Sequence, residues 1–277
     1  DCWFESGSMP YAQQHHPFEN KDVFNPTPGL FGKAKGYPAN FIAEGLDQTR
    51  GWFYSLIVLG TGLFGKAPFE NVVVNGMVLA EDGQKMAKKL KNYPDLMGVV
   101  NTYGADALRY YLLNSPVVHG EDLAFQESGV KEVSSKITGR LHNVLSFFEL
   151  YKETVKTKEG STHALDLWIM SRLNQLIEET TEGYEAYAFD KAARPLLEFL
   201  DDLSTWYVRR SRDRIKKGTE DSEYAMGTLK HVLRETAKVM APATPFYAEY
   251  LYQQVKEDDM EESVHLASWP KAGSVDT

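Results

Sequence analysis

The chain has 277 residues, 43% hydrophobic and 25% charged, with 30 Lys plus Arg against 39 Asp plus Glu and a formal charge of −9. That composition excludes a disordered or collagen-like chain. The acidic balance argues against wholesale nucleic-acid coating but leaves room for a local basic patch. Cys2 is the single cysteine; a disulfide framework and a thiolate zinc site are therefore excluded, and a reducing compartment such as the cytosol fits.

The chain opens at Asp1 with no Met and no signal peptide, which leads to the expectation of a cut inside a longer protein. Residues 10–38 hold Pro10, Pro17, Pro26, Pro28 and Pro38 with Gly29, Gly32 and Gly36 and read as a long ordered loop. Ala39–Ala43 is a strand candidate broken by Gly45. Trp52, Phe53, Leu56, Ile57 and Leu59–Leu63 then give an apolar helix of about three turns. The uncharged stretch around it, Gly51–Gly65, falls short of the roughly 20 residues that span a bilayer. Asn71–Asn75, with Val72-Val73-Val74, reads as a fully buried strand of the parallel kind. Strand, helix and strand make a βαβ unit.

Lys85–Asn92 is a basic loop, followed by Tyr93-Pro94-Asp95. From about Gly129 the pattern turns helical. Leu165, Trp168, Ile169, Leu173, Leu176 and Ile177 keep a 3.6-residue period, as do Leu196, Leu197, Leu200, Leu203 and Tyr207, and later Leu229, Val232 and Leu233. Phe189-Asp190 looks like a staple and N-cap, and Pro242 and Pro245 end or kink a further helix. The fold class expected is a partial α/β Rossmann-like domain followed by an all-α helical bundle.

Two stretches carry chemistry. Glu44–Phe53 sits where strand gives way to helix, the carboxyl-end crevice in which open α/β sheets bind ligands. Gly45 lets a ligand approach the backbone, Asp47 offers hydrogen-bond acceptors to a ribose diol, Gln48 an amide, and Trp52 a flat apolar wall. A plain helix start capped by Asp47 is the competing reading. In Gly83–Asn92, Lys85, Lys88, Lys89 and Lys91 fall within seven residues. They make either a solvated surface or a mobile cationic loop that closes on polyphosphate.

Taken in order with Asp1-Cys2-Trp3-Phe4-Glu5-Ser6-Gly7-Ser8, these stretches closely resemble the isoleucyl-tRNA synthetase family, class I ligases that form isoleucyl-adenylate and pass isoleucine to tRNA. Gly45–Phe53 matches the family's GLDQTRGWF block, and Lys85-Met86-Ala87-Lys88-Lys89 lies at its KMSKS signature. Trp206-Tyr207-Val208-Arg209-Arg210-Ser211-Arg212 resembles its anticodon-binding bundle, and Ser263–Leu266 the end of that bundle. Ser8–Gln13 looks most like the eukaryotic cytoplasmic branch. The resemblance implies that Trp3 and Trp52 line the isoleucine pocket, with Glu44 and Gln48 orienting the aminoacyl-phosphate portion. It implies that Gly45 and Asp47 hold the ATP ribose and that backbone around Met77 and Val78 meets adenine. Lys85 and Lys88 then stabilise pyrophosphate with Mg²⁺. ATP with Mg²⁺ is substrate, with no resident cofactor and no protein metal site.

The signature departs from the family at Ala87 and Lys89, where the usual hydroxyls are gone. The family's HIGH sequence does not occur in these residues, nor does its inserted editing domain. The resemblance therefore implies the second half of a catalytic domain over 1–105, a connector contacting the tRNA stem over 106–120, and an anticodon-binding domain over 121–277, inactive on its own. Partners implied are isoleucine tRNA, isoleucine, ATP and a multi-synthetase assembly, without a membrane.

For tRNA, the candidate surface is Thr205–Gly218, where Arg209, Arg210, Arg212, Arg214, Lys216 and Lys217 face one acid, Asp213. Trp206 and Tyr207 either stack on a base or pack in the bundle, and Asp201-Asp202 are placed to order the arginines that follow. A solvated helix face is the competing reading of the stripe. For the whole chain, a naturally non-catalytic tRNA-binding module and a valyl-type class I synthetase are the alternatives. His15-His16 with Glu19 offers no third metal partner.

Overall fold

A computed structural model describes residues 2–26, 33–87, 89–90 and 92–275. The chain divides into two compact units, Asp1–Val78 with Pro116–Leu123, and Leu79–Ser115 with Ala124–Thr277.

In the first unit, α1 (Cys2–Ala12) packs on α2 (Trp52–Phe64), and β1 (Ala39–Gly45) runs parallel to β2 (Phe69–Asn75), in register from Ala39↔Phe69 to Gly45↔Asn75. The expected βαβ unit is present. A single 3-10 turn, Leu46–Arg50, joins β1 to α2. The helix stops at Gly65, whose φ of +65° suits a residue without a Cβ and whose N–H closes on Thr61 O. The segment before β1 is organised by rings rather than by regular structure. Tyr11, His16, Phe24, Tyr37 and Phe64 meet edge-on with centroids 5.1–6.0 Å apart. Residues 27–32 of the expected loop lie outside the described residues.

Two expectations change here. Helix α1 was not legible in the periodicity, because Ser6, Gly7, Ser8 and Pro10 interrupt its apolar side. The second strand is not fully buried: Val73 is enclosed, but Val72 is 45% exposed. Among the described residues the sheet has two strands, so each has an edge with no strand beside it there.

The second unit is helical. It contains α3 (Leu96–Tyr103), α4 (Ala105–Leu113), α5 (Glu127–Val133), α6 (Arg140–Tyr151), α7 (Ala164–Glu185), α8 (Phe189–Asp201), α9 (Arg209–Lys216), α10 (Glu220–Met240) and α11 (Pro245–Val255). π-Helical turns at Ser134–Gly139 and Asp202–Val208 join α5 to α6 and α8 to α9 into continuous rods. The core is mostly aliphatic, with Leu141, Leu145, Ile169, Leu173, Leu200, Leu203 and Leu229 at 1% exposure or less, and it encloses the rings of Tyr110, Phe199, Tyr207 and Tyr252. The predicted periodic positions are those that face it.

α3 and α4 were not anticipated. Asp95 caps α3 through Met97 N–H at 3.1 Å, and Gly104 separates the two helices. α4 is tied into the bundle by polar contacts. The buried Asp106 carboxylate accepts from Tyr247 N–H (2.6 Å) and Phe246 N–H (3.3 Å) at the start of α11. Arg109 donates to the carbonyls of Pro242 and Ala243, and Tyr110 Oη to that of Ala193 at 2.6 Å. Residues 79–115 therefore pack with the helical bundle, a division different from 1–105, 106–120 and 121–277. The expected cap at Asp190 is also displaced. Ala188 is the N-cap residue of α8, and Asp190 sits inside the first turn, where its charge faces the positive end of the helix.

Candidate functional site

In the first unit, the residues singled out from 44 to 53 converge at the end of β1. Gln48 Oε1 accepts the N–H of Trp52 at 3.0 Å and so closes the open first turn of α2, while its Nε2 donates to Asp47 Oδ2 at 3.3 Å. Gln48 is thus engaged internally, with one side-chain N–H left over. Trp52 is fixed by its ring nitrogen, which donates to Ser6 O at 3.0 Å. A Cβ added to Gly51 would stand 3.0 Å from the Trp3 ring and 2.8 Å from Gln48 Oε1, so Trp3, Gln48 and Trp52 share one neighbourhood. Trp3 remains 56% exposed. A Cβ at Gly45 would lie 2.7 Å from Asp47 Oδ1 and would crowd that exposed carboxylate. Glu44, also exposed, pairs with Val74 in the strand register.

Met77 and Val78 follow β2. Met77 N–H donates to Asp122 Oδ1 (3.1 Å), and its carbonyl accepts from Leu123 N–H (2.9 Å). Leu79 O accepts from Phe125 N–H. Strand alternation therefore turns the Val78 backbone groups to the opposite edge. Of the two expected adenine contacts, Val78 has its backbone so directed, whereas that of Met77 is already used. Gly76 permits this arrangement, because a Cβ there would sit 1.9 Å from Glu121 O.

In the second unit, the signature loop begins with a turn at Gly83 (φ +77°), closed by Ala80 N–H to Gln84 O, and a bridge pairs Leu79 with Lys85. Asn92 fastens it: its Oδ1 accepts Ala87 N–H at 2.9 Å, and its Nδ2 donates to Lys85 O at 3.2 Å. This clamp acts on backbone, so it is unaffected by the absence of a hydroxyl at Ala87. Lys85 is exposed, and Lys88 lies outside the described residues.

The arginine stripe divides. Arg209, Arg210 and Arg212 have no carboxylate partner among the described residues, and the Arg210 guanidinium lies 3.6 Å over the Trp206 ring. Trp206 is 47% exposed and inclined against Trp168, whereas Tyr207 is buried. Arg214 belongs elsewhere. Its guanidinium bonds both oxygens of Asp166 (2.8 and 2.5 Å) and Asp221 Oδ2 (2.7 Å), with 10% of its side chain exposed and 1% of that of Asp166. Burial alone would raise the Asp166 pKa, but bonds from Arg214, Ser161 and Tyr207 bring it below the ordinary aspartate value. A guanidinium so held is a structural tie, and it leaves the exposed arginine stripe. Asp201 and Asp202 likewise pair with Arg140 (3.0 Å) and Arg172 (2.7 Å) rather than with the arginines that follow them. Sequence reasoning missed Ser6, Asn92, Asp122 and Asp166. Only Asp166 had a signal, as an acid on the apolar stripe of α7.

A strand-helix-strand half-sheet, a clamped basic loop and a helical bundle with an exposed arginine face define a class, and two family models match in that order. "tRNA synthetases class I (I, L, M and V)" covers residues 1–125, and "Anticodon-binding domain of tRNA ligase" covers 166–276. The chain belongs to the class I tRNA synthetases. Within that class, isoleucine–tRNA ligases are among its curated relatives. It is 47% identical over 277 residues to that of Protochlamydia amoebophila (strain UWE25) and 45% identical over 289 residues to the probable cytoplasmic one of Dictyostelium discoideum. Both alignments cover 98% of this chain and 26% of the relative, so the chain spans about a quarter of their length. In fold it matches the Agrobacterium radiobacter K84 agnB2 LeuRS, solved in a ternary complex with tRNA and LeuAMS, with a TM-score of 0.70. The identity is 20%, over 98% of this chain and 33% of that one.

Proposed function

We propose that the protein to which these residues belong is an ATP-dependent isoleucine–tRNA ligase acting in the cytoplasm. The observation that carries this reading is the ordered pair of the Glu44–Phe53 turn and the Asn92-clamped Lys85–Ala87 segment, in a chain whose relatives bear that name. The isoleucine carboxylate attacks the α-phosphorus of ATP in line. The bond to the pyrophosphate oxygen breaks and the mixed anhydride forms; a terminal ribose hydroxyl of tRNA then attacks its carbonyl carbon and releases AMP. No enzyme nucleophile takes part, so the protein's contribution is position and charge.

Trp3 and Trp52 would flank the isoleucine side chain, Glu44 and the free N–H of Gln48 its polar end, Asp47 the ribose, and Val78 the adenine edge. Lys85 and Lys88 would neutralise the departing pyrophosphate. Mg²⁺ enters with the phosphates as part of the substrate and needs no protein cage. Arg209, Arg210, Arg212 and Lys216 would meet tRNA phosphates, with Trp206 beside them. The 277 residues alone would not form the adenylate, since they lack the HIGH sequence.

Pocket size separates isoleucine from valine by only about 1–3 kcal/mol, a figure for which this enzyme family is itself the standard example. The test is ATP–pyrophosphate exchange by the intact protein with isoleucine, valine and leucine. Isoleucine should give the highest kcat/KM, and Trp52→Ala should raise the KM for isoleucine. Valine preferred over isoleucine would favour the valyl-type reading, and no exchange with any amino acid a non-catalytic tRNA-binding module.

A further inference from the structure

A groove of about 500 Å³ lies beside α10 near the C-terminal ends of α6 and α11, bounded by buried Phe148 and by Lys152, Lys156, Lys230 and Lys256, with Glu153 beside them. Lys230 pairs with Glu257 at 3.0 Å. Lys256 Nζ donates to the carbonyl of Glu262, which leaves its charge uncompensated. Lys152 and Lys156 have no carboxylate partner among the described residues. Each helix C-terminus adds roughly half a negative charge. Even so, the groove keeps a positive excess in a chain whose net charge is −9.

The helix α6 that borders the groove also borders the arginine surface already described. The Arg212 guanidinium lies 5.6 Å from the ring centroid of Phe147, the neighbour of Phe148 on α6. From Phe147 to Lys152 the chain advances about 7.5 Å and turns about 140° around the helix axis. Cations therefore stand on two sides of α6, at Arg212 over Phe147 and in the groove beyond Phe148.

We propose that this lysine groove is a second track for the tRNA phosphate backbone, additional to the Arg209–Arg212 surface; the proposal rests on the tRNA reading above. Lysine is a mobile point charge suited to phosphate oxygens and does not read bases. The track should therefore strengthen cognate and non-cognate tRNA alike.

The test uses the intact protein carrying K152Q/K156Q/K256Q, which removes charge and keeps a donor at each position, beside R209Q/R210Q/R212Q. Affinity for isoleucine tRNA and for a non-cognate tRNA is measured from 50 to 200 mM salt. The lysine variant should flatten the log affinity–log salt slope by about 0.7–0.9 for each phosphate left without its lysine, equally for both tRNAs and with an unchanged melting temperature. A lysine variant with wild-type slope and affinity, while the arginine variant is weakened, overturns the groove alone. Loss confined to one tRNA also overturns it, because the groove would then read sequence. Wild-type binding by both variants removes the tRNA surface itself.

Discussion

The two units solve the same problem with different means. The first has a two-stranded sheet, a knot of five rings and large apolar side chains in contact with solvent, among them Phe4, Tyr54 and Val58. Its binding candidates lie at the open end of β1. The second encloses its core so completely that it also buries an ion pair, Asp166–Arg214, and a capping carboxylate, Asp106. The difference shows why an arginine cluster cannot be read as one surface. In a thin unit polar residues stay available, whereas in a deep one some are drawn inside to hold helices together.

The largest expected effect is in the deep unit. Asp166→Ala leaves the Arg214 guanidinium buried without its main partner, and should cost about 3–5 kcal/mol, read by urea unfolding of the helical unit. A loss below 1 kcal/mol would return Arg214 to the proposed tRNA surface. Next, Gly76→Ala forces a methyl into Glu121 O and should destabilise the first unit by about 1–3 kcal/mol. Faster hydrogen exchange at residues 116–123, with the helical unit unchanged, would report it.

The same ion pair sets an acid limit. Because the folded Asp166 pKa lies below its unfolded value, its contribution is fully present above the unfolded aspartate pKa of about 4 and is lost as pH falls through the folded value. Asp106 has the opposite sign: burial pushes its pKa up despite the bonds from Tyr247 and Phe246, so acid relieves a penalty there. Urea stability of wild type should fall below pH 4, and Asp166→Asn should flatten that limb, leaving the part due to Glu235 and Glu249, whose pKa values are also lowered. Identical pH profiles would contradict the assignment. Smaller again, Trp206→Ala should weaken tRNA binding about tenfold, as loss of a stacking platform does. At the bottom, Arg194→Ala removes an exposed i,i+4 pair with Asp190 (3.5 Å) and should change stability by less than about 0.5 kcal/mol.

The contrast also marks what was legible in the residues. β1, α2 and β2 were readable because apolar runs stand between glycines, and α7 and α10 because long amphipathic periods survive any context. α1 was not, since its packing depends on Gly7 meeting Leu59 and Ser55 rather than on an apolar stripe. The Asn92 clamp was hidden for a different reason. A side chain bridging two backbone groups five and seven residues back leaves no trace in hydrophobic period. Composition could count the arginines of 209–214 but could not foresee that Asp166, 48 residues from Arg214, would claim one of them.

The most direct test of this division of labour measures isoleucine-dependent ATP–pyrophosphate exchange and tRNA binding side by side on two variants of the intact protein. Lys85→Ala should lower exchange about 10²–10³-fold, the usual loss when a charge-stabilising group is removed, and bind tRNA as wild type does. R209Q/R210Q/R212Q should keep exchange and lose tRNA affinity with a flatter salt slope. If Lys85→Ala exchanges at the wild-type rate, or the arginine variant loses exchange while still binding tRNA, the assignment is contradicted.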